Sequence, residues 1–158
     1  MLHSPDVSCL TSLRTRSFCP ENPEGRNGAA ARAEQGSASH ASRELGLGWK
    51  VNPYVDIAPG ETHVLVDIDE PGCVRHLWAT TDRPHWRSLI LRAYWDDSEE
   101  PAIEVPYGDF FCNGWGVYAP VSSAMVVAAP HGGMNSYWPM PFDENARITL
   151  ENIGDTTA

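Results

Sequence analysis

Ser88-Leu89-Ile90-Leu91-Arg92-Ala93-Tyr94-Trp95 is the stretch on which the fold turns. Apart from Ser88 and Arg92 it is apolar on both faces, as a strand in the middle of a sheet must be. Asp96-Asp97 follows as a hairpin turn, and Ala102–Val105 returns as the next strand. Upstream, Thr62–Asp69 alternates, placing Val64, Val66 and Ile68 on one face and His63, Leu65 and Asp67 on the other. Pro59-Gly60 precedes it and Pro71-Gly72 follows, both turn chemistry. Val74–Thr81 alternates again, with Val74, His76, Trp78 and Thr80 set against Arg75, Leu77 and Ala79. Downstream, Ser122–Ala129 reads as one apolar strand closed by Pro130 and Gly132-Gly133, and Arg147–Ile153 as a last alternating strand.

No segment after Val51 keeps an apolar period of 3.6, so short strands between Pro/Gly turns predict an all-β protein. The long connection Tyr107–Pro120 favours a jelly-roll-like β-sandwich over a tight up-and-down barrel. Three stretches are expected: a disordered lead-in over residues 1–13, an irregular segment over 14–45, and the sandwich over 46–158. Within the irregular segment, Gly25–Ser42 is rich in Ala, Gly and Ser and reads as a mobile loop. Only five residues follow Ile153, which leads to the expectation that the sandwich stops short of a partner strand and leaves the last strand with an open edge.

The 158 residues are 42% hydrophobic and carry a net charge of -10. Residues 1–50 hold six Lys/Arg against five acids, whereas 51–158 hold five Arg against sixteen acids. A surface of that sign repels phosphate backbones and anionic lipid, which excludes nucleic acid and membrane as expected partners. No run of about 18 apolar residues is present. The first residues mix Pro5, Asp6, Arg14 and Arg16 with short apolar pieces, unlike a signal peptide, so a cytoplasmic location is the expectation. Cys9, Cys19, Cys73 and Cys112 form no C-x-x-C pair and read as free buried thiols. His76, His85 and His131 match no metal spacing, and no Gly-rich loop opens a helix, so no cofactor is expected.

Aromatic and polar residues gather in two connections: Tyr107, Asp109, Phe110, Phe111, Asn113 and Trp115 in one, Asn135, Tyr137, Trp138 and Phe142 in the other. Sugars are held by this mixture, a ring against the apolar sugar face and Asp or Asn on the hydroxyls. The same rings also serve simply to plug the ends of a sandwich. Glycosidic hydrolysis needs two carboxyl groups roughly 5 to 9 Å apart. Glu104, Asp109, Asp67 and Asp69 are the carboxylates to consider, and nothing in their spacing brings two of them together.

Several stretches taken in order resemble glycoside hydrolase family 172, formerly domain-of-unknown-function family 2961. They are Gly48-Trp49-Lys50-Val51, Ile57-Ala58-Pro59-Gly60-Glu61-Thr62, Asp67-Ile68-Asp69-Glu70-Pro71-Gly72, Arg75-His76-Leu77-Trp78, Trp86–Arg92, Tyr94-Trp95-Asp96, Val105–Phe111, Tyr137–Phe142 and Ala146–Asn152. Arg16-Ser17 and Pro20-Glu21-Asn22 are similar to the family's opening segment, so the likeness runs from about Arg14 to Asp155. It implies two jelly-roll domains, assembly as trimers or hexamers of trimers, and action on α-linked furanosides (fructofuranosides, difructose anhydrides, arabinofuranosides). It also implies two catalytic glutamates, one in a G-T-E-D-Y-F-like motif. That motif does not occur in this sequence, and Glu104 does not match it. Departures at Cys112 and at His131-Gly132-Gly133-Met134 leave the substrate open.

The expectation is therefore the N-terminal portion of a furanoside-cleaving enzyme, with its glutamates encoded downstream and no catalytic residue of its own. Asn22, Asp109, Phe110, Asn135 and Trp138 are expected to line or support the sugar pocket. The alternative is a non-catalytic carbohydrate-binding or assembly module.

Overall fold

The computed structural model describes residues 12–42 and 44–158. The expected lead-in therefore lies outside the described residues, except for its last two positions. Ten strands follow one another: β1 (Thr62–Ile68), β2 (Gly72–Val74), β3 (Leu77–Ala79), β4 (Leu89–Trp95), β5 (Ile103–Pro106), β6 (Val121–Ser122), β7 (Val126–Ala128), β8 (Met134–Ser136), β9 (Met140–Phe142) and β10 (Ala146–Asn152). Among the described residues the only α-helices are single turns, α1 (Ser39–Ser42) and α2 (Tyr107–Phe110). The strands form one sheet in the order β1-β10-β4-β5, a second in the order β3-β8-β7-β6, and a small ladder β2-β9. Every pairing is antiparallel. The fold is an all-β sandwich.

The core lies between the two larger sheets. Leu89, Leu91 and Ala93 of β4 and Ile148 and Leu150 of β10 point inward to meet Val126 of β7 and Met134 of β8. Trp86, Tyr107 and Phe111 close one side, with Trp86 Nε1 donating to the Thr81 carbonyl at 3.0 Å. Each of the Leu, Ile, Val, Met and Phe side chains contributes about 1.5–3 kcal/mol by leaving water. β4 runs between β10 and β5, inside its sheet, as its two apolar faces require. The outward Arg92 is the exception in composition. It bonds Glu104 on β5 and Glu151 on β10, each at 2.5 Å.

Four expectations need correction. Val64, Val66 and Ile68 do not share a face, because Val64 pairs with Thr149 and Val66 with the adjacent Ile148, leaving Leu65 as the extra residue of a β-bulge. Val74–Thr81 is two strands, β2 on β9 and β3 on β8, since the chain changes ladders at Arg75-His76. Ser122–Ala129 is a hairpin: Ser123 Oγ accepts the N–H groups of Met125 and Val126 at 3.3 and 2.9 Å and so makes the turn. Finally, β10 has no open edge, being paired with β1 on one side and β4 on the other. Beyond it, Ile57 and Ala158 exchange backbone hydrogen bonds at 2.9 and 3.0 Å.

The thiols also differ from expectation. Cys19, Cys73 and Cys112 are free, but Cys73 and Cys112 are exposed and Cys19 half-buried; Cys9 is outside the described residues. The described residues before the sandwich form turns and the single-turn α1, tied down at Glu21, whose Oε1 accepts the N–H groups of Val51 and Asn52, both at 2.6 Å. Arg16 pairs with Glu70 at 2.5 Å.

Candidate functional site

The connection after β5 begins with α2, whose single turn packs against the 3-10 turn Arg83–Trp86. Gly108 permits that approach, since a Cβ there would stand 2.9 Å from the Asn113 carbonyl oxygen and 3.0 Å from Trp86 Cβ. Asn113 then shapes the loop. It is 1% exposed, its Nδ2 donates to the Phe111 carbonyl at 3.1 Å, and its Oδ1 accepts the Ala119 N–H at 2.6 Å. With the loop closed in this way, Trp115 stands outside it at 95% exposure, followed by Gly116 at φ +65°.

Asp109 leaves α2 toward Arg87. Both its carboxylate oxygens accept from Arg87 Nη1, which also donates to the Gly114 carbonyl at 3.1 Å. Arg87, Asp109, Gly114 and Trp115 line an open recess of ≈ 530 Å³. Nη2 and Nε of Arg87 have no partner among the described residues, and the indole face of Trp115 is open. Chemically, the recess offers fixed N–H donors, a carboxylate acceptor and a flat apolar ring.

The second sheet supplies another group. Asn135 on β8 stands opposite Trp78 on β3, and Asn135 Oδ1 lies 3.0 Å from His76 Nε2. His76 stacks on Tyr137 with centroids 4.7 Å apart and ring planes 10° apart. Trp78, Tyr137 and Trp138 are 55%, 43% and 47% exposed.

The structure gives the five expected site residues three sets of local partners. Asn22 is buried within its own turn, its Nδ2 donating to the Ser17 and Arg26 carbonyls, both at 3.0 Å, and its Oδ1 accepting the Arg26 N–H at 2.9 Å. Asp109 lines the recess, while its neighbour Phe110 turns edge-on to Phe111 and packs on the core. Asn135 and Trp138 belong to the second sheet and the segment after it. No hydrogen bond links these three groups among the described residues. Of the carboxylates considered, Glu104 is held by Arg92 and Asp109 by Arg87, while Asp67 and Asp69 are exposed. Of the recess residues, Trp115 was named with the loop aromatics but not among the five, and Arg87 was not singled out. The Gly114-Trp115-Gly116 sequence, a large ring between two glycines, was the available signal for Trp115.

A family model described as GH172 domain-like matches residues 50–158. The chain belongs to this family. The matched region contains all ten of the described strands, the Arg87–Asp109–Trp115 recess and the His76–Asn135 group. No curated protein matches the chain.

Proposed function

We propose that this GH172 domain supplies sugar-holding loops to a glycoside hydrolase acting on α-linked furanosides of the fructofuranoside or arabinofuranoside type. The observation that carries this reading is the Arg87–Asp109 pair beside a Trp115 that is 95% exposed. A ring that packs on nothing in the fold leaves its face open to a ligand, and the paired charges beside it can bond hydroxyl groups. In this reading Trp115 stacks on the apolar face of the sugar ring. Arg87 donates to ring hydroxyls, Asp109 accepts from them, and Phe110 backs the loop from the core side. Asn22 acts at a distance by keeping the N-terminal segment in shape, and Trp138 offers a further exposed ring.

Hydrolysis by this stretch alone is not part of the proposal. Glu104 and Glu151 share Arg92 and Asp109 is paired with Arg87, so each of these carboxylates already has an arginine partner. The two glutamates implied by the family come from outside this sequence, in an enzyme proposed to assemble as a trimer or hexamer. The test is an assay of the chain against p-nitrophenyl α-D-arabinofuranoside and an α-fructofuranoside. Binding without release of nitrophenol supports the proposal. Clear turnover that disappears in Glu104→Gln or Asp109→Asn would overturn it.

A further inference from the structure

We propose that the outer face of the second sheet is a second carbohydrate-binding surface, built from His76, Trp78, Asn135 and Tyr137, that takes an uncharged extended glycan. The inference rests on the glycoside-directed reading of this domain but uses none of the recess residues.

Side-chain parity defines the face. On β3, Leu77 and Ala79 pack toward the core, so His76 and Trp78 point outward. On β8, Met134 and Ser136 are buried and Asn135 points outward, followed by Tyr137 on the same side. Trp78 and Asn135 are register partners, and the outward row continues across the sheet through Val127 of β7 and Ser122 of β6. One pair further along, His76 and Tyr137 meet ring to ring. His76 stands immediately before β3, two positions from Trp78.

The polar groups on this face are set in place before any ligand arrives. The Asn135 carboxamide is held through its Oδ1 by His76, so Nδ2, which has no partner among the described residues, faces outward as a fixed donor. No Asp, Glu, Lys or Arg is among the four, in a chain with a net charge of -10. An anionic ligand would be repelled by that background, and a cationic one finds no carboxylate among the four. A neutral polyhydroxylated chain suits flat rings alternating with amide and imidazole groups. A protein partner would favour a continuous apolar centre, which the His76–Asn135 hydrogen bond interrupts.

The test uses the intact chain and four probes: soluble arabinan, soluble inulin, methyl α-D-arabinofuranoside and a methyl α-fructofuranoside. Dissociation constants are measured by calorimetry for wild type, Trp78→Ala, Tyr137→Ala and Trp115→Ala. Trp78→Ala and Tyr137→Ala are each expected to weaken binding to one of the polymers by about ten-fold or more, as removal of an aromatic anchor does. The methyl furanosides should bind these two variants as they bind wild type. Trp78→Phe, which keeps a ring, should restore most of the affinity, and it replaces Trp78→Ala if that variant melts early. Three results would overturn the inference: no polymer binding by wild type; polymer binding lost in Trp115→Ala but kept in Trp78→Ala; or a change in sedimenting mass in Trp78→Ala with unchanged polymer affinity, which would mark a protein contact. Methyl furanoside binding that survives while polymer binding is absent sinks this surface and leaves the recess standing.

Discussion

Asp96 and Asn145 clasp two turns together. The Asp96 N–H donates to the Asn145 carbonyl at 3.1 Å, and Asp96 Oδ1 accepts the Asn145 N–H at 3.4 Å along with those of Asp143 and Glu144 at 3.0 and 2.8 Å. Asp96 and Asp97 both take positive φ, 55° and 59°, as the central residues of a primed turn must, and that aims the Asp96 carboxylate at the β9–β10 connection. The Glu144 N–H above all, with those of Asn145 and Asp143, holds the Asp96 carboxyl below its ordinary value despite some desolvation acting the other way.

The sign of the pH effect follows from that depression. A carboxyl whose pKa is lower in the folded state stabilises the fold above its unfolded pKa, about 3.9, and loses that contribution as pH falls through the folded value. Asp96→Asn, which tolerates the same backbone region, should melt at a lower temperature than wild type at pH 7. The gap should narrow steadily as the melts are repeated from pH 5 downward. A gap that is constant with pH would mean the charge plays no part.

Leu91 is 2% exposed and stands between Leu150 and Val105 in register. Leu91→Ala should lower the free energy of unfolding in urea by about 2–5 kcal/mol, the range for opening a cavity in a close-packed core. A loss below about 1 kcal/mol would mean that the two sheets are not in close contact there.

Asn113→Ala removes the side chain that closes the loop carrying Trp115, including its bond to the Ala119 N–H. An unfolding loss of about 1–3 kcal/mol is expected from the unpaired backbone groups. Furanoside affinity should fall as well, although Asn113 itself is buried away from the recess. Calorimetric titration beside a thermal melt separates the two effects.

Arg87 and Asp109 form a partly exposed pair, so a double-mutant cycle on stability should return no more than about 1 kcal/mol. The same substitutions to Ala should weaken furanoside binding much more than they alter melting. Loss of stability without loss of binding would make the pair structural.

The sandwich was legible where the residues themselves decide the outcome. Ser88–Trp95 is apolar on both faces and can only lie inside a sheet, and Asp96-Asp97 accepts a backbone region closed to most residues. What stayed hidden depends on partners distant in sequence. The bulge at Leu65 exists because β10 sets the register of β1, and alternation continues unbroken through Arg75-His76 although the chain changes ladders there. The place of β10 between β1 and β4 likewise depends on where a strand about eighty residues earlier comes to rest. The sites followed the same rule. Asp109 stood out in its loop, but Arg87 lies 22 positions away, and the His76 that holds Asn135 lies 59 positions away.

The most direct measurement is a calorimetric titration of the chain with methyl α-D-arabinofuranoside and a methyl α-fructofuranoside, run beside Trp115→Ala. At 95% exposure Trp115 adds little to stability, so the variant should melt with wild type. Saturable binding of one furanoside by wild type, weakened about ten-fold or more in Trp115→Ala, is the expected result. Absence of binding to both sugars, or equal affinity in the two proteins, would contradict a sugar-holding role for the recess.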